Sequence, residues 1–264
     1  MALMESHREY AVDELAELAA PDQKEIRVLD VFSGPGGVGY ALRELFTAPH
    51  VDGWFCGVDE TDYSERYPGD FRQMDACDLT LDALGLDKPV DLVWLSPPCQ
   101  AYARPSHVHY DDPKAVFPTF EDLGVRDLTS LGREYVIENV VGCDDLRDPV
   151  ALNGVAFGER YVYRRLFETS FDLPEWSVRA GPDQETVPMD SVGEKAYARV
   201  KGTHFATEWD KTEIRAAIPG KYVAYVLSHC PTLPAIEVPG GNVEYRKRGA
   251  GGGNAHLGSF GGGV

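Results

Sequence analysis

The chain predicts an α/β fold of Rossmann type that carries a small substrate-facing lobe. Three observations predict it. Short apolar runs recur at 26–32, 54–58, 90–95 and 135–137, each ending at glycine or polar residues. The first run enters a glycine-rich turn that leads straight into a helical pattern. At 264 residues the chain can bury one α/β core with little left for a second domain.

Taken in order, residues 5–20 read as an amphipathic helix ended by Pro21-Asp22, with a packing role. The strand at 26–32 passes through Ser33-Gly34-Pro35-Gly36-Gly37-Val38-Gly39 into a helix over 40–46, so Gly34, Gly36 and Gly39 satisfy G-x-G-x-x-G in the strand-to-helix context that gives the pattern meaning. Asp59 ends the strand at 54–58, where an acid can take ribose hydroxyls. A turn at 63–69 follows, and residues 71–79 carry Asp75.

The run at 90–95 delivers Ser96-Pro97-Pro98-Cys99-Gln100 to the rim of the sheet. Two prolines restrict the backbone there, so the Cys99 thiol sits on a shaped loop, as a nucleophile requires, although a buried, inert cysteine is the alternative. The stretch 101–123 holds three prolines and is either a mobile lid or an ordered Ω-loop. Glu138-Asn139-Val140 ends the next strand, 155–157 is a short strand or turn, and 164–169 reads as an edge strand. Residues 211–229 read as a helix start, a breaker at Ile218-Pro219-Gly220, and a final apolar helix.

These readings divide the chain into an N-terminal helix (1–24), a catalytic and cofactor-binding domain (25–171), a small target-recognition lobe (172–209), a returning C-terminal helix (210–235) and a Gly-rich flexible tail (236–264). Arg246-Lys247-Arg248 could contact phosphate or stay solvated. The five cysteines are odd in number, form no C-x-x-C pair and have no metal spacing, which fits a reducing compartment and no metal. No run approaches the ~20 apolar residues of a membrane span, so a soluble, intracellular, cytoplasmic protein is expected.

Asp30-x-Phe32-x-Gly34-x-Gly36-Gly37, Pro97-Pro98-Cys99-Gln100 and Glu138-Asn139-Val140 together resemble the ordered motifs of the cytosine-C5 DNA methyltransferases, with weaker matches over most of 26–230. The resemblance implies a Rossmann-like S-adenosylmethionine-dependent methyltransferase fold, of a small viral or archaeal-like member, and transfer of a methyl group from S-adenosyl-L-methionine to cytosine C5 in DNA. It assigns cofactor binding to Phe32, Ser33, Gly34, Gly36, Gly37, Asp59, Asp75 and Pro97, and catalysis to Cys99, Glu138 and Arg165. Gln100, Asn139 and Arg104 are expected on the substrate side, with Asn139 bracing the Cys99 loop. Ala217-Ile218-Pro219 partly resembles the last family motif.

Cytosine C5 is too weak a nucleophile to take a methyl group unaided. A thiolate added at C6 makes the ring enamine-like, a protonated glutamate can donate to N3, and an arginine can bond the base carbonyl. For Glu138, the alternative is a carboxylate that caps a turn. Tyr161 and Tyr163 stand where the family strand has Gln and Arg, and Ala103 where it has Ser, so an inactive cofactor-binding pseudoenzyme is an alternative, as is RNA in place of DNA.

The formal charge of −18, from 43 acidic and 25 basic residues, opposes approach to phosphates. Arginine outnumbers lysine about two to one, a pattern that resembles salt-in halophiles, where a Debye length of about 3 Å at molar salt screens the repulsion. An acidic enzyme with a small substrate is the other explanation. The expected partner is DNA, as a duplex with a flipped cytosine or a single strand, and a restriction-modification role is among the expectations. Arg179, Gln184, Lys195, Arg199 and Lys201 are the side chains in 172–209 suited to base edges, few enough to predict a target of about two to four base pairs.

Overall fold

The computed structural model describes residues 25–46, 52–157, 161–176, 187–188, 198, 201, 209–234 and 245–246. The helix expected at 5–20, most of the lobe at 172–209 and most of the tail beyond 236 lie outside the described residues.

Strands β1 (Ile26–Val31), β2 (Gly53–Asp59), β3 (Asp70–Gln73), β4 (Val90–Leu95) and β5 (Gly132–Val140) run parallel in the order β3-β2-β1-β4-β5. Beyond β5 come β6 (Val150–Asn153), β7 (Tyr161–Val162) and β8 (Arg164–Thr169) in the chain; β8 inserts antiparallel between β5 and β6 and closes a seven-stranded sheet. This is a Rossmann-like α/β fold. The strand order reverses at β1, with β2 on one side and β4 on the other, which opens a crevice at their carboxyl ends.

Three strands depart from expectation. The strand at 164–169 is interior, because β6 covers its outer edge. Strands β3 and β6 were not expected: only Phe71 of β3 is even partly buried, and β6 holds just four residues, of which Val150 and Leu152 are buried. The 155–157 segment is a short 3₁₀ turn, Gly154–Phe157.

The pleat sends alternate side chains to opposite faces. On the first face Val28, Leu92, Trp94 and Val136 meet α1 (Gly37–Phe46) and the later apolar helix at Tyr222, Val223 and Val226. On the second face Leu29, Val31, Val93, Leu95 and Ile137 meet turns and loops instead, through Leu79, Tyr102, Phe120 and Leu128. The 101–123 stretch belongs to this second layer. It contains α2 (Arg104–His109) and precedes α3 (Val125–Leu128). Tyr102 pins both of its ends: its hydroxyl accepts from Phe120 N at 2.9 Å and donates to Asp145. Only the middle of the stretch, around α2, projects.

Helix α4 (Lys211–Ala216) starts at a capping box in which Asp210 and Glu213 each accept the other's backbone N–H at 2.8 Å. Glu213 also takes both arms of the Arg66 guanidinium at 2.8 and 2.9 Å, which ties α4 to the turn after β2. Pro219 then breaks the chain before α5 (Gly220–Ser228), whose Tyr222, Val223, Tyr225 and Val226 are all buried. Short pairs β7 with β10 (Val187–Pro188), and β9 (Glu175–Trp176) with β11 (Tyr245–Arg246), complete the described structure. Arg246, of the basic triplet, thus lies in a strand pair.

Candidate active site

The crevice at the sheet's switch point holds a cavity of about 150 Å³. One wall is the loop after β1. Phe32 and Gly34 both have left-handed backbone, at φ 61° and 53°. For a bulky residue such as Phe32 that conformation is strained by about 1–3 kcal/mol, as is common where a loop is shaped for a ligand. Gly34 N–H donates to Asp59 Oδ2 at 2.9 Å, while Asp59 Oδ1 accepts from Thr61 N–H at 3.0 Å. A side chain at Gly34 would project into open space, so this glycine serves backbone conformation and access. Gly36 also has positive φ, at 107°, and a Cβ at it or at Gly39 would strike Pro68 or the Tyr67 ring at 2.6–2.7 Å. Two of the three motif glycines therefore make room for internal packing.

The floor is Asp30, fully buried at the end of β1. Its Oδ2 accepts the Tyr67 hydroxyl at 3.1 Å. Oδ1 lacks a partner of hydrogen-bond geometry among the described residues, although the Gly39 N–H lies near enough to favour the charged form. Burial outweighs both and pushes its pKa up to about 8, with nearby Asp59 adding to the rise.

The opposite wall comes from the ends of β4, β5 and β8. Asn139 Nδ2 donates to the Pro97 carbonyl at 3.0 Å, and the Tyr102 and Ala103 N–H groups donate to the Cys99 carbonyl at 3.0 and 2.9 Å, so the Cys99 loop is held from both sides. Glu138 is buried and its Oε1 lies 2.9 Å from Arg165 Nε, an ion pair without hydrogen-bond alignment. Antiparallel pairing of β5 with β8 sets this meeting, since Val140 registers with Arg165. Burial raises the Glu138 pKa, while Arg165, Lys201 and a hydrogen bond from Ser96 pull it back. The Cys99 thiol is likewise pushed up by burial, with Arg165 and Lys201 opposing and Glu138 reinforcing.

The cavity thus unites Phe32, Ser33, Gly34, Gly37 and Pro97 with Cys99, Glu138, Asn139 and Arg165. Gly36, Asp59, Asp75, Gln100 and Arg104 lie outside its lining. Asp59 braces Gly34 from behind; Asp75 is exposed and caps a 3₁₀ turn by accepting from Cys77 N–H at 2.9 Å. Gln100 and Arg104 are exposed, the latter on α2.

Sequence reasoning did not single out Asp30, Trp209 and Glu213 as lining residues. For Asp30 a signal existed: a carboxylate within a run of buried strand residues. Lys201, expected at base edges, is 1% exposed and donates to Tyr163 Oη at 2.8 Å, to the Ala217 carbonyl at 2.6 Å and to the Arg215 carbonyl. It is structural to the site and unavailable to a base edge. Among the described residues no group of side chains could hold a metal ion, and no helix is long and apolar enough to cross a membrane.

The described residues thus place a cysteine, a glutamate and an arginine on one cavity of a Rossmann-like sheet. The chain is similar to the tRNA (cytosine(38)-C(5))-methyltransferase of Mus musculus, at 27% identity over 182 residues, covering 64% of this chain and 43% of that protein. It is also similar to the tRNA (cytosine(38)-C(5))-methyltransferase of Homo sapiens, at 26% identity, covering 68% and 49%. The chain spans less than half the length of these relatives. No family model matches. Among solved structures, a methyltransferase of Entamoeba histolytica superposes with a TM-score of 0.43 at 15% identity, covering 66% of this chain and 67% of that one. The human methyltransferase 10 domain containing protein gives 0.33 at 12%, covering 61% and 79%. The fold assignment rests on the sheet's own order and direction.

Proposed function

We propose that the cavity is the active site of an S-adenosylmethionine-dependent cytosine-C5 methyltransferase acting on nucleic acid, with RNA the favoured substrate. The observation that carries this reading is the convergence of Cys99, Glu138 and Arg165 on one cavity beside the open, left-handed Gly34 loop. RNA is favoured over the DNA expected from the sequence because both curated relatives carry tRNA in their names.

The residues present fit the cofactor: open space at Gly34, the Phe32 ring on the lining, and a buried carboxylate, Asp30, with an oxygen to spare. Phe32, Ser33, Gly34, Gly37 and Pro97 would hold it, with Asp59 supporting Gly34 from behind. When bound, it supplies an electrophilic methyl group. Cys99, as thiolate, forms a bond to cytosine C6. As it does so the C5=C6 pair moves to C4=C5 and the C4=N3 pair moves to N3, where it takes a proton from Glu138, whose acid form burial favours, leaving an enamine that is nucleophilic at C5. Arg165 donates to the base carbonyl and steadies the adduct. After C5 is substituted, the C5 proton leaves to a base as the Cys99–C6 bond breaks, which restores C5=C6 and releases the thiolate, and the N3 proton returns to Glu138. Gln100, Asn139 and Arg104 serve the substrate side of this reading.

The test is methyl incorporation into matched RNA and DNA oligonucleotides with labelled cofactor, in dilute buffer and in molar KCl, together with covalent trapping on 5-fluorocytosine substrates. Transfer to cytosine C5 of RNA above DNA is expected. Transfer to DNA alone would restore the DNA reading. No adduct on either polymer at any salt would sink the mechanism.

A further inference from the structure

We infer that Lys201 is a positioning residue of this reaction, a buried cation that turns the Tyr163 hydroxyl into an acceptor for the Arg165 guanidinium and thereby fixes Arg165 against Glu138. The inference rests on the proposed function and adds a residue to it.

A lysine ammonium has three N–H donors. At Lys201 all three meet acceptors: the Tyr163 hydroxyl and the carbonyls of Arg215 and Ala217. Those carbonyls close α4, where the last turn leaves C=O groups without intrahelical partners and a cation is favoured. A side chain this buried would otherwise lose its charge or leave the core. The ammonium also lies 4.3 Å from the centre of the Tyr163 ring, a cation–π contact.

The consequence falls on Tyr163. Its hydroxyl proton is directed to the Arg215 carbonyl at 3.2 Å, so its lone pairs face Lys201 and Arg165, and Arg165 Nη2 donates to it. The guanidinium stacks 4.4 Å over the same ring. Held along one edge by Tyr163, Arg165 presents Nε to Glu138 at 2.9 Å. Two cations thus share one neutral hydroxyl, a tolerable arrangement because the Glu138 carboxyl lies beside them. Tyr163, which departs from the resembled family's arginine, is a joint between a lysine from the substrate-facing lobe and the reacting side chains. Ala217, held by the same ammonium, lines the cavity, so Lys201 is itself tied to the cavity wall.

A double-mutant cycle tests the relay: Lys201→Met, Tyr163→Phe and the pair together, each compared with the wild-type protein for kcat and KM. Residue-resolved alkylation of Cys99 by iodoacetamide is measured in parallel; it needs neither substrate nor turnover. Each single variant is expected to lower kcat by about 10–100-fold with KM within about threefold, the size of a lost positioning contact. The double variant should be no worse than the poorer single one, and Cys99 alkylation should slow severalfold in all three. Multiplied losses in the double variant, or wild-type kcat and alkylation in Lys201→Met, would overturn the relay. Thermal melting screens for folding; if Lys201→Met does not fold, Lys201→Gln takes its place, and Tyr163→Phe by itself still must slow alkylation. A wild-type protein without turnover on any polymer would end the functional reading and leave the alkylation series to decide on Lys201.

Discussion

The two walls of the cavity each bury a carboxyl group, and they treat it differently. On the β1 side, Asp30 is hydrogen-bonded by the uncharged Tyr67 hydroxyl while its other oxygen meets no aligned donor among the described residues, and burial carries its pKa to about 8. On the β5 side, Glu138 is also raised by burial, but Arg165 and Lys201 pull against the rise. Burial alone makes a stored acid; burial with cations makes a carboxyl that can exchange a proton with a substrate. The difference comes from strand pairing: β8 brings Arg165 to β5, and no comparable strand brings a cation to β1.

The comparison is broken most severely at the side chains proposed to react. Cys99→Ser should abolish methyl transfer and trapping on 5-fluorocytosine while cofactor binding persists, because an alcohol at neutral pH is a far weaker nucleophile than a thiolate. Glu138→Gln should lower kcat by about 10²–10⁴-fold, the usual worth of general acid catalysis. Wild-type turnover in either, measured by methyl incorporation, would contradict the assignment.

Next in size is the ion pair. Arg165→Met strands a buried carboxyl and should cost about 3 kcal/mol in a denaturant titration, whereas Arg165→Met with Glu138→Gln should regain most of that loss. If the double variant is no more stable than the single one, the pair is not what stabilises this wall.

The Asp30 wall is tested by pH. Its folded pKa is raised, so between about 4 and about 8 the unfolded chain is ionised while the folded chain keeps the proton. Folded protein then binds more protons than unfolded, and stability falls as pH rises through that window. Asp30→Asn removes this dependence. Its melting temperature minus that of the wild type should grow steadily from pH 5 to pH 8, by several degrees in all; a constant difference would mean that Asp30 ionises normally.

The smallest effect expected is that of salt. If the −18 charge is screened in use, the melting temperature should rise by a few degrees between dilute buffer and molar KCl in both wall variants alike, since the repulsion is spread over the surface. A protein most stable at low salt would remove that account of its acidity.

Much of this was legible before folding. The strands at 90–95 and 26–31, the helix after the glycine turn and the break at Pro219 follow from apolar runs and from residues that only certain backbones accept, both local properties of the chain. Cys99, Glu138 and Asn139 were legible for the same reason, since each stands at the end of such a run and a parallel sheet gathers those ends on one edge. Strands β3 and β6 were not, because polar or short edge strands are defined by the neighbours they pair with.

By itself, then, the sequence determined the strand ends and the kinds of side chain offered there. Tertiary structure alone decided their company: that Gly36 and Gly39 yield to Pro68 and Tyr67, that Asp59 braces a backbone N–H, and that Lys201, far along the chain from β5, is buried behind Tyr163. Charge, burial and hydrogen bonding at a site are sums over neighbours distant in sequence, and only the folded chain brings those neighbours within a few ångströms.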